Sequence, residues 1–221
     1  MTITTAKLSR WAGLAALVAG LSYVVVGLFH PINALASVTS TTWIVVHIFA
    51  CATAFLGLFG MVGLYVRQVE QSGWLGLAGF VLFSAWLGLV LCFSFIEAAV
   101  LPFLAAAAPR VVEGMMAMFT VPIEGIDLSV LPTLWIISGP LYILGGLLFG
   151  IATFRAGVLP QWAGALLAAG TAFAPVAGLF PFEYQTKVTI PVGLALAWMG
   201  YALWSERRSE GVAIQGELRV P

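Results

Sequence analysis

Three side chains in this sequence have the type and placement to do chemistry in an apolar setting: His30, His47 and Glu97. His47 sits four residues inside an apolar run, Trp43 to Arg67 (WIVVHIFACATAFLGLFGMVGLYVR). His30 closes the run that begins at Trp11, and Glu97 lies twenty-three residues beyond Trp74, toward the far end of a third run. If each run crosses a bilayer, all three side chains reach the same leaflet surface. Two imidazoles and a carboxylate make a metal ligand set for zinc with a fourth position left for water, whose pKa the ion lowers enough for hydrolysis. The two histidines could instead ligate a haem iron from two helices, as in an electron-transfer protein. Neither an H-x-x-x-H nor an H-E-x-x-H pattern is present to choose between them.

Structural roles compete at each position. His30, followed by Pro31, suits an interfacial group that hydrogen-bonds a helix end. His47 is deeper, and a polar ring in hydrocarbon needs a partner: Glu97, His30, a metal or a backbone carbonyl. Glu97, in FSFIEAAVLP, could pair with His47 or emerge into water. Cys51 and Cys92 also lie in neighbouring runs, without the C-x-x-C spacing of a zinc knuckle or a thioredoxin-type pair. Cys92 and Glu97 are five residues apart, roughly 140° round a straight helix, so a Cys51–Cys92 disulfide and a His47–Glu97 pair are rival arrangements. Two reduced, buried thiols are the simpler reading.

The elements that must position these groups are set by composition. Of 221 residues, 62% are hydrophobic and 8% charged, with a mean hydropathy of +1.07, against about 25% charged in soluble domains. The solvent for this chain is a lipid bilayer. Nine basic and nine acidic residues cancel, and no basic tract suited to polynucleotide phosphates occurs, which sets nucleic acid aside as a partner.

About 20 apolar residues span a bilayer as a helix. Runs near 11–29, 43–66, 74–100, 134–154, 162–180 and 189–204 give an all-α, six-helix transmembrane domain over residues 1–208, followed by a polar tail, 209–221. The first run is longer than a signal-peptide core, although Ala34-Leu35-Ala36 has the small-x-small form of a cleavage site. Gln68 to Gly73 reads as a tight connection, and Pro109 to Phe119, with three methionines, as a short helix on the membrane surface. Basic residues accumulate in short cytoplasmic loops. With the N-terminus inside, Lys7, Arg10, Arg67, Arg155, Arg207, Arg208 and Arg219 fall inside, and Arg110 and Lys187 outside. Both termini are therefore placed in the cytoplasm of a bacterial cell, the protein crossing its inner (plasma) membrane. Trp11, Trp74, Trp162 and Trp204 mark the inner boundary, Trp43 and Trp135 the outer one.

Two hairpins share the spacing R-x6-W-x-G, from Arg67 to Gly76 and from Arg155 to Gly164, which suggests a duplicated unit. In lipid, helices associate through small residues. Thr53, Gly57 and Gly60 form such a stripe on the second run, off the face of His47, and Gly145, Gly146, Gly150, Gly193 and Gly200 provide the same elsewhere. No Asp, Glu, Lys or Arg lies near the middle of a run, which counts against ion-driven transport. A facilitator for a small neutral solute would have to use Ser22, Ser84, Ser138, Thr153 and Thr171.

Over residues 8 to 208 the chain resembles multi-pass membrane proteins of actinobacterial type whose activity is unknown, through WIVVHIF, the GLYVRQ-x5-WLGLAG turn, FSFIEAAVLP and LYILGGLLFGIATFRAGVLPQWAG. The resemblance implies no catalytic residue, cofactor or protein partner. The sequence therefore points first to a non-enzymatic binding or scaffolding protein, with a metal or haem site at His30, His47 and Glu97 and a neutral-solute facilitator as the alternatives.

Overall fold

The computed structural model describes residues 2–119 and 123–206, and within them the chain is all helical, without strands. Arg207, Arg208 and the tail 209–221, which holds Arg219, lie outside the described residues. Four helical stretches are long and apolar enough to cross a membrane: Thr5–Phe29, Thr41–Ala107, Leu131–Ala156 and Thr186–Ser205.

Helix α1, Thr5–Phe29, starts six residues before the apolar run, because the Thr4 hydroxyl accepts from the Lys7 N–H and caps it. A one-turn helix, α2 (Leu35–Val38), leads to α3, Thr41–Phe95. The expected connection from Gln68 to Gly73 is not a loop. The helix continues to Ser72 and reverses at Gly73 alone, with φ 54° and ψ −155°. Glu70 and Gln71 are good helix formers, so nothing stops the helix before the first residue that lacks a Cβ and can take positive φ. The two arms of α3 run antiparallel, with Tyr65 stacked on Phe80 at 4.7 Å between centroids.

The second arm ends in a π-helical turn, Ile96–Val100, and two short helices, α4 (Leu101–Ala107) and α5 (Pro109–Ala117). Helix α5 coincides with the segment expected on the membrane surface. Its apolar side is covered by protein instead: Val112, Met115 and Met116 are buried against Val38, Trp43 and Leu101. Helix α6, Leu131–Ala156, stops at Gly157, which has φ 66°. The run from Trp162 to Phe180 is helical as α7 only over Gln161–Ala172, then breaks into α8, Ala174–Ala177. Pro175 accounts for the break, since it lacks the N–H that a continuing helix needs. A single turn, α9 (Phe182–Gln185), and a short 3-10 turn precede α10, Thr189–Ser205.

Successive helices pack antiparallel into a closed ring: α10 on α1, α1 on the first arm of α3, the second arm on α6, α6 on α7, and α7 back on α10. The glycines are the contact points. Gly60 meets Ala16, Gly79 meets Phe149, Gly145 meets Phe83 and Gly150 meets Gly164. At the crossing of α1 on α10, a Cβ on Gly20 would overlap the Gly193 carbonyl and the Ala197 backbone. Thr53 belongs to this packing, its hydroxyl donating to the Ala19 carbonyl across the interface at 3.3 Å and to the Phe49 carbonyl at 2.9 Å. The two R-x6-W-x-G hairpins do both reverse tightly, yet at different places: the first turns six residues after its arginine, the second two residues after. Equal spacing here does not mean an equal turn.

Polar ties close both ends. Lys187 donates to the Gly27 and Leu28 carbonyls at 2.9 and 3.0 Å, satisfying the last turn of α1 with a cation where the helix dipole is negative. At the opposite end Arg67 Nε reaches both Glu206 oxygens, at 2.9 and 3.2 Å.

Gly20→Leu should lower the thermal unfolding temperature of the detergent-solubilised protein, by an overpacking cost of about 1–3 kcal/mol. Gly88→Ala should raise it slightly: nothing lies within 4 Å of a Cβ there, and alanine gains up to about 1 kcal/mol over glycine within a helix.

Candidate functional site

His30, at the end of α1, His47, near the start of α3, and Glu97, in the π-helical turn, do meet at one end of the bundle. The His30 and His47 ring centroids are 5.1 Å apart, and His47 Nε2 lies 3.4 Å from Glu97 Oε2. His47 is 1% exposed and Glu97 9%, so both are buried.

The π-helical turn follows from Pro102. In this turn the Leu101 N–H bonds the Ile96 carbonyl, five residues back. The next donor in that register would be residue 102, aimed at the Glu97 carbonyl, but proline has no N–H. An unsatisfied buried carbonyl costs about 1–3 kcal/mol. Trp43 fills the gap, donating its indole N–H to the Glu97 carbonyl at 2.8 Å. Trp43, expected at an outer membrane boundary, is fully buried instead, because this bond and its contacts with Leu101, Val112 and Met116 hold it inside the cap.

One turn along α3 from Trp43, His47 Nδ1 is 2.7 Å from the Trp43 carbonyl. A carbonyl only accepts, so Nδ1 carries a proton. The His47 ring lies against the Trp43 indole, with centroids 4.2 Å apart. These contacts leave Nε2 close to the Glu97 carboxylate, although the two are not aligned for a hydrogen bond. Were Nε2 bare and the carboxylate ionised, two lone pairs would face each other in a low-dielectric interior. The arrangement therefore calls for one proton between them, either on the carboxyl as O–H···N or on the ring as N–H···O.

His30 is built the same way at the end of α1. Its backbone N–H bonds the Val26 carbonyl, and its Nδ1 is 2.7 Å from the Pro31 carbonyl. Burial, and next the Lys187 ammonium, hold its pKa below the usual histidine value against the pull of the Pro31 carbonyl. With both Nδ1 atoms committed to carbonyls, only the Nε2 atoms could bind an ion. Among the described residues no group of three or more His, Cys, Asp or Glu side chains is placed to hold a metal ion. Cys51 and Cys92 are free thiols, Cys51 half-buried and Cys92 exposed on the helix surface.

Of the five hydroxyls that a solute path would use, three are bonded within the bundle, whereas Ser84 has no hydrogen-bond partner. Ser138 donates to the Trp135 carbonyl at 2.6 Å and Thr171 to the Leu167 carbonyl at 3.0 Å. Thr153 accepts from Gln68 Nε2 at 2.9 Å. Gln68 is a polar residue that the sequence did not mark, since it fell in a stretch read as a loop. The only sign was the unbroken run of helix formers from Val66 to Gln71.

No family model matches the chain, and neither the curated proteins nor the solved structures contain a match to it.

Trp43→Phe, which keeps the ring and removes the donor, should destabilise the protein by about 1–3 kcal/mol. Restoring an N–H with Pro102→Ala in the same chain should recover part of that loss, and a double-mutant cycle of thermal unfolding would read the coupling.

Proposed function

We propose that this chain is a non-enzymatic binding or scaffolding protein of a bacterial plasma membrane, with six spans and both termini in the cytoplasm. The antiparallel ring supports six passes: α3 doubles back at Gly73, and α7 with α8 together cover the fifth. The exposure of Trp11, Trp74 and Trp162 at one end of the bundle, where Lys7, Arg10, Arg67 and Arg155 also gather, supports placing that end in the cytoplasm.

The observation that carries the non-enzymatic reading is the enclosure of the His47–Glu97 pair. A general base, or a metal awaiting substrate, needs an opening for the reacting molecule. Here the Trp43 indole, the His30 ring and the cap of α2, α4 and α5 close that end. The pair acts as a proton-bridged clasp between the start of α3 and the end of its second arm. It holds the cap rigid, so that the outward surface of the cap is presented in one shape to a partner. A zinc or haem site at His30, His47 and Glu97 would need the rings to leave the carbonyls of Pro31 and Trp43 or to bind through Nε2 alone.

Two experiments test this. If one shared proton holds the clasp, Glu97→Gln, whose amide can donate to His47 Nε2, should retain most of the stability. Glu97→Ala and His47→Ala should each lose about 1–3 kcal/mol. Equal damage from the glutamine and alanine variants would sink the shared-proton reading. Purified wild-type protein should be colourless and free of zinc by elemental analysis. For topology, single cysteines placed at Asp127 and Ser205 in a chain lacking Cys51 and Cys92 should differ: a membrane-impermeant maleimide should label the first in intact cells and the second only after lysis.

A further inference from the structure

A hydroxyl without a partner lies near the middle of the bundle. Tyr142, on α6, is 7% exposed, and its hydroxyl has no hydrogen-bond partner. Next to it is the phenol of Tyr23, on α1, also buried and close enough for the two hydroxyls to interact. Helices α1 and α6 stand opposite each other in the ring, so the two phenols meet across its axis. Trp86, from the second arm of α3, closes one side, with ring centroids 5.8 Å from Tyr23 and 4.6 Å from Tyr142.

These groups share one level. Trp11-Ala12-Gly13 and Trp74-Leu75-Gly76 open helices that run in the same direction, and twelve residues after each tryptophan stand Tyr23 and Trp86. Tyr142 is thirteen residues before Arg155, which lies at the matching end of α6. The level is about 18 Å from that end, well inside a hydrocarbon core of about 30 Å. A third opening of the same form, Trp162-Ala163-Gly164, brings Ala174 to the same count. Ala174 packs against the core cluster that holds the three rings, but it offers a methyl group where the other two helices offer an aromatic ring. Helix α7 has already ended there, at Ala172. An unpaired hydroxyl and a shortage of side-chain volume thus coincide.

Each phenol carries one O–H to donate and an oxygen that accepts. A bond from one hydroxyl to the other leaves the second O–H without an acceptor, because the carbonyls of the surrounding helices serve their own ladders. An unpaired hydroxyl at this depth has no bulk water to turn to and is costly. One water molecule, with two donors and two acceptor sites, satisfies both phenols, and buried waters settle where two or more polar groups would otherwise go unpaired. We propose that a single water is held between the Tyr23 and Tyr142 hydroxyls, beside Trp86, in the space that Ala174 leaves. The site is separate from the clasp, and only its depth in the membrane rests on the six-span reading.

The test is water-edited solid-state NMR of the full chain in lipid bilayers, labelled with carbon-13 at tyrosine Cζ, with Tyr23→Phe and Tyr142→Phe used to assign the two signals. Water magnetisation should reach the Tyr142 signal within the mixing time that serves the exposed Tyr184, and the transfer should weaken in Tyr23→Phe. Each phenylalanine variant should also lower the thermal unfolding temperature by about 2–4 °C, as for one lost hydrogen bond in a chain of this size. No transfer to Tyr142 in the wild-type protein would overturn the proposal; destabilised variants in that case would mean that the phenols bond each other directly. A Tyr142→Phe protein at least as stable as wild type would overturn it as well, since that is the outcome for a hydroxyl left unsatisfied. Should Tyr142→Phe fail to fold, the wild-type transfer, assigned through Tyr23→Phe, still decides. Neither readout depends on which side of the membrane the termini occupy.

Discussion

A backbone carbonyl buried in an apolar setting must find a donor, and the carbonyl of Glu97 cannot find one in its own helix. Pro102 removes the N–H that the π-helical register would supply, and the Leu101 N–H is already bound to Ile96. The Trp43 indole, 54 residues earlier in the chain, meets the need. Much of the arrangement at this end depends on that bond. It fixes Trp43 inside the cap, places the start of α3 against the end of its second arm, and gives Val112, Met115 and Met116 a surface to pack on.

The same bond sets up the chemistry of the clasp. Trp43 gives through its indole N–H to Glu97 and receives at its carbonyl from His47 Nδ1, so one residue orients both members of the pair. With Nδ1 committed, His47 has one nitrogen left, and it faces a carboxylate oxygen in a space that water scarcely enters. Stability in such a site depends on keeping a proton between the two groups, since a buried pair stripped of its bridging proton leaves uncompensated charge or facing lone pairs. Packing elsewhere in the bundle is of a different kind. It rests on backbone contact at glycines such as Gly20 and Gly193, where no side chain intervenes.

The helical class was legible in the sequence, because hydropathy is read locally, whereas segment ends such as those of the second and fifth runs were not. The small-residue contacts were legible for the same reason, as Gly145, Gly150 and Gly200 show. His30, His47 and Glu97 were placed at one depth from their distance to segment ends. The azimuth of Glu97 was not legible, since it lies in a π-helical turn that shifts the angular positions along its helix. The enclosure of Trp43 by protein was not legible, because its partner is a carbonyl distant in sequence. Pro102 is only a partial signal: in an α-helical register it orphans the carbonyl of Ala98, and the π-helical turn moves that gap to Glu97. Gln68 was hidden by the habit of reading polar residues between apolar runs as loop, when a single glycine, Gly73, was enough to turn the chain.

The shared proton is tested most directly by nitrogen-15 NMR of the protein labelled at its two histidines, in lipid nanodiscs, with His47→Gln used to assign the signals. The expected result is a His47 ring with Nδ1 protonated at every pH at which the protein is folded, and an Nε2 signal that changes when Glu97 is replaced by alanine while Nδ1 does not. A His47 ring in the opposite tautomer, with Nδ1 bare and Nε2 protonated, would contradict the bond to the Trp43 carbonyl and with it the clasp.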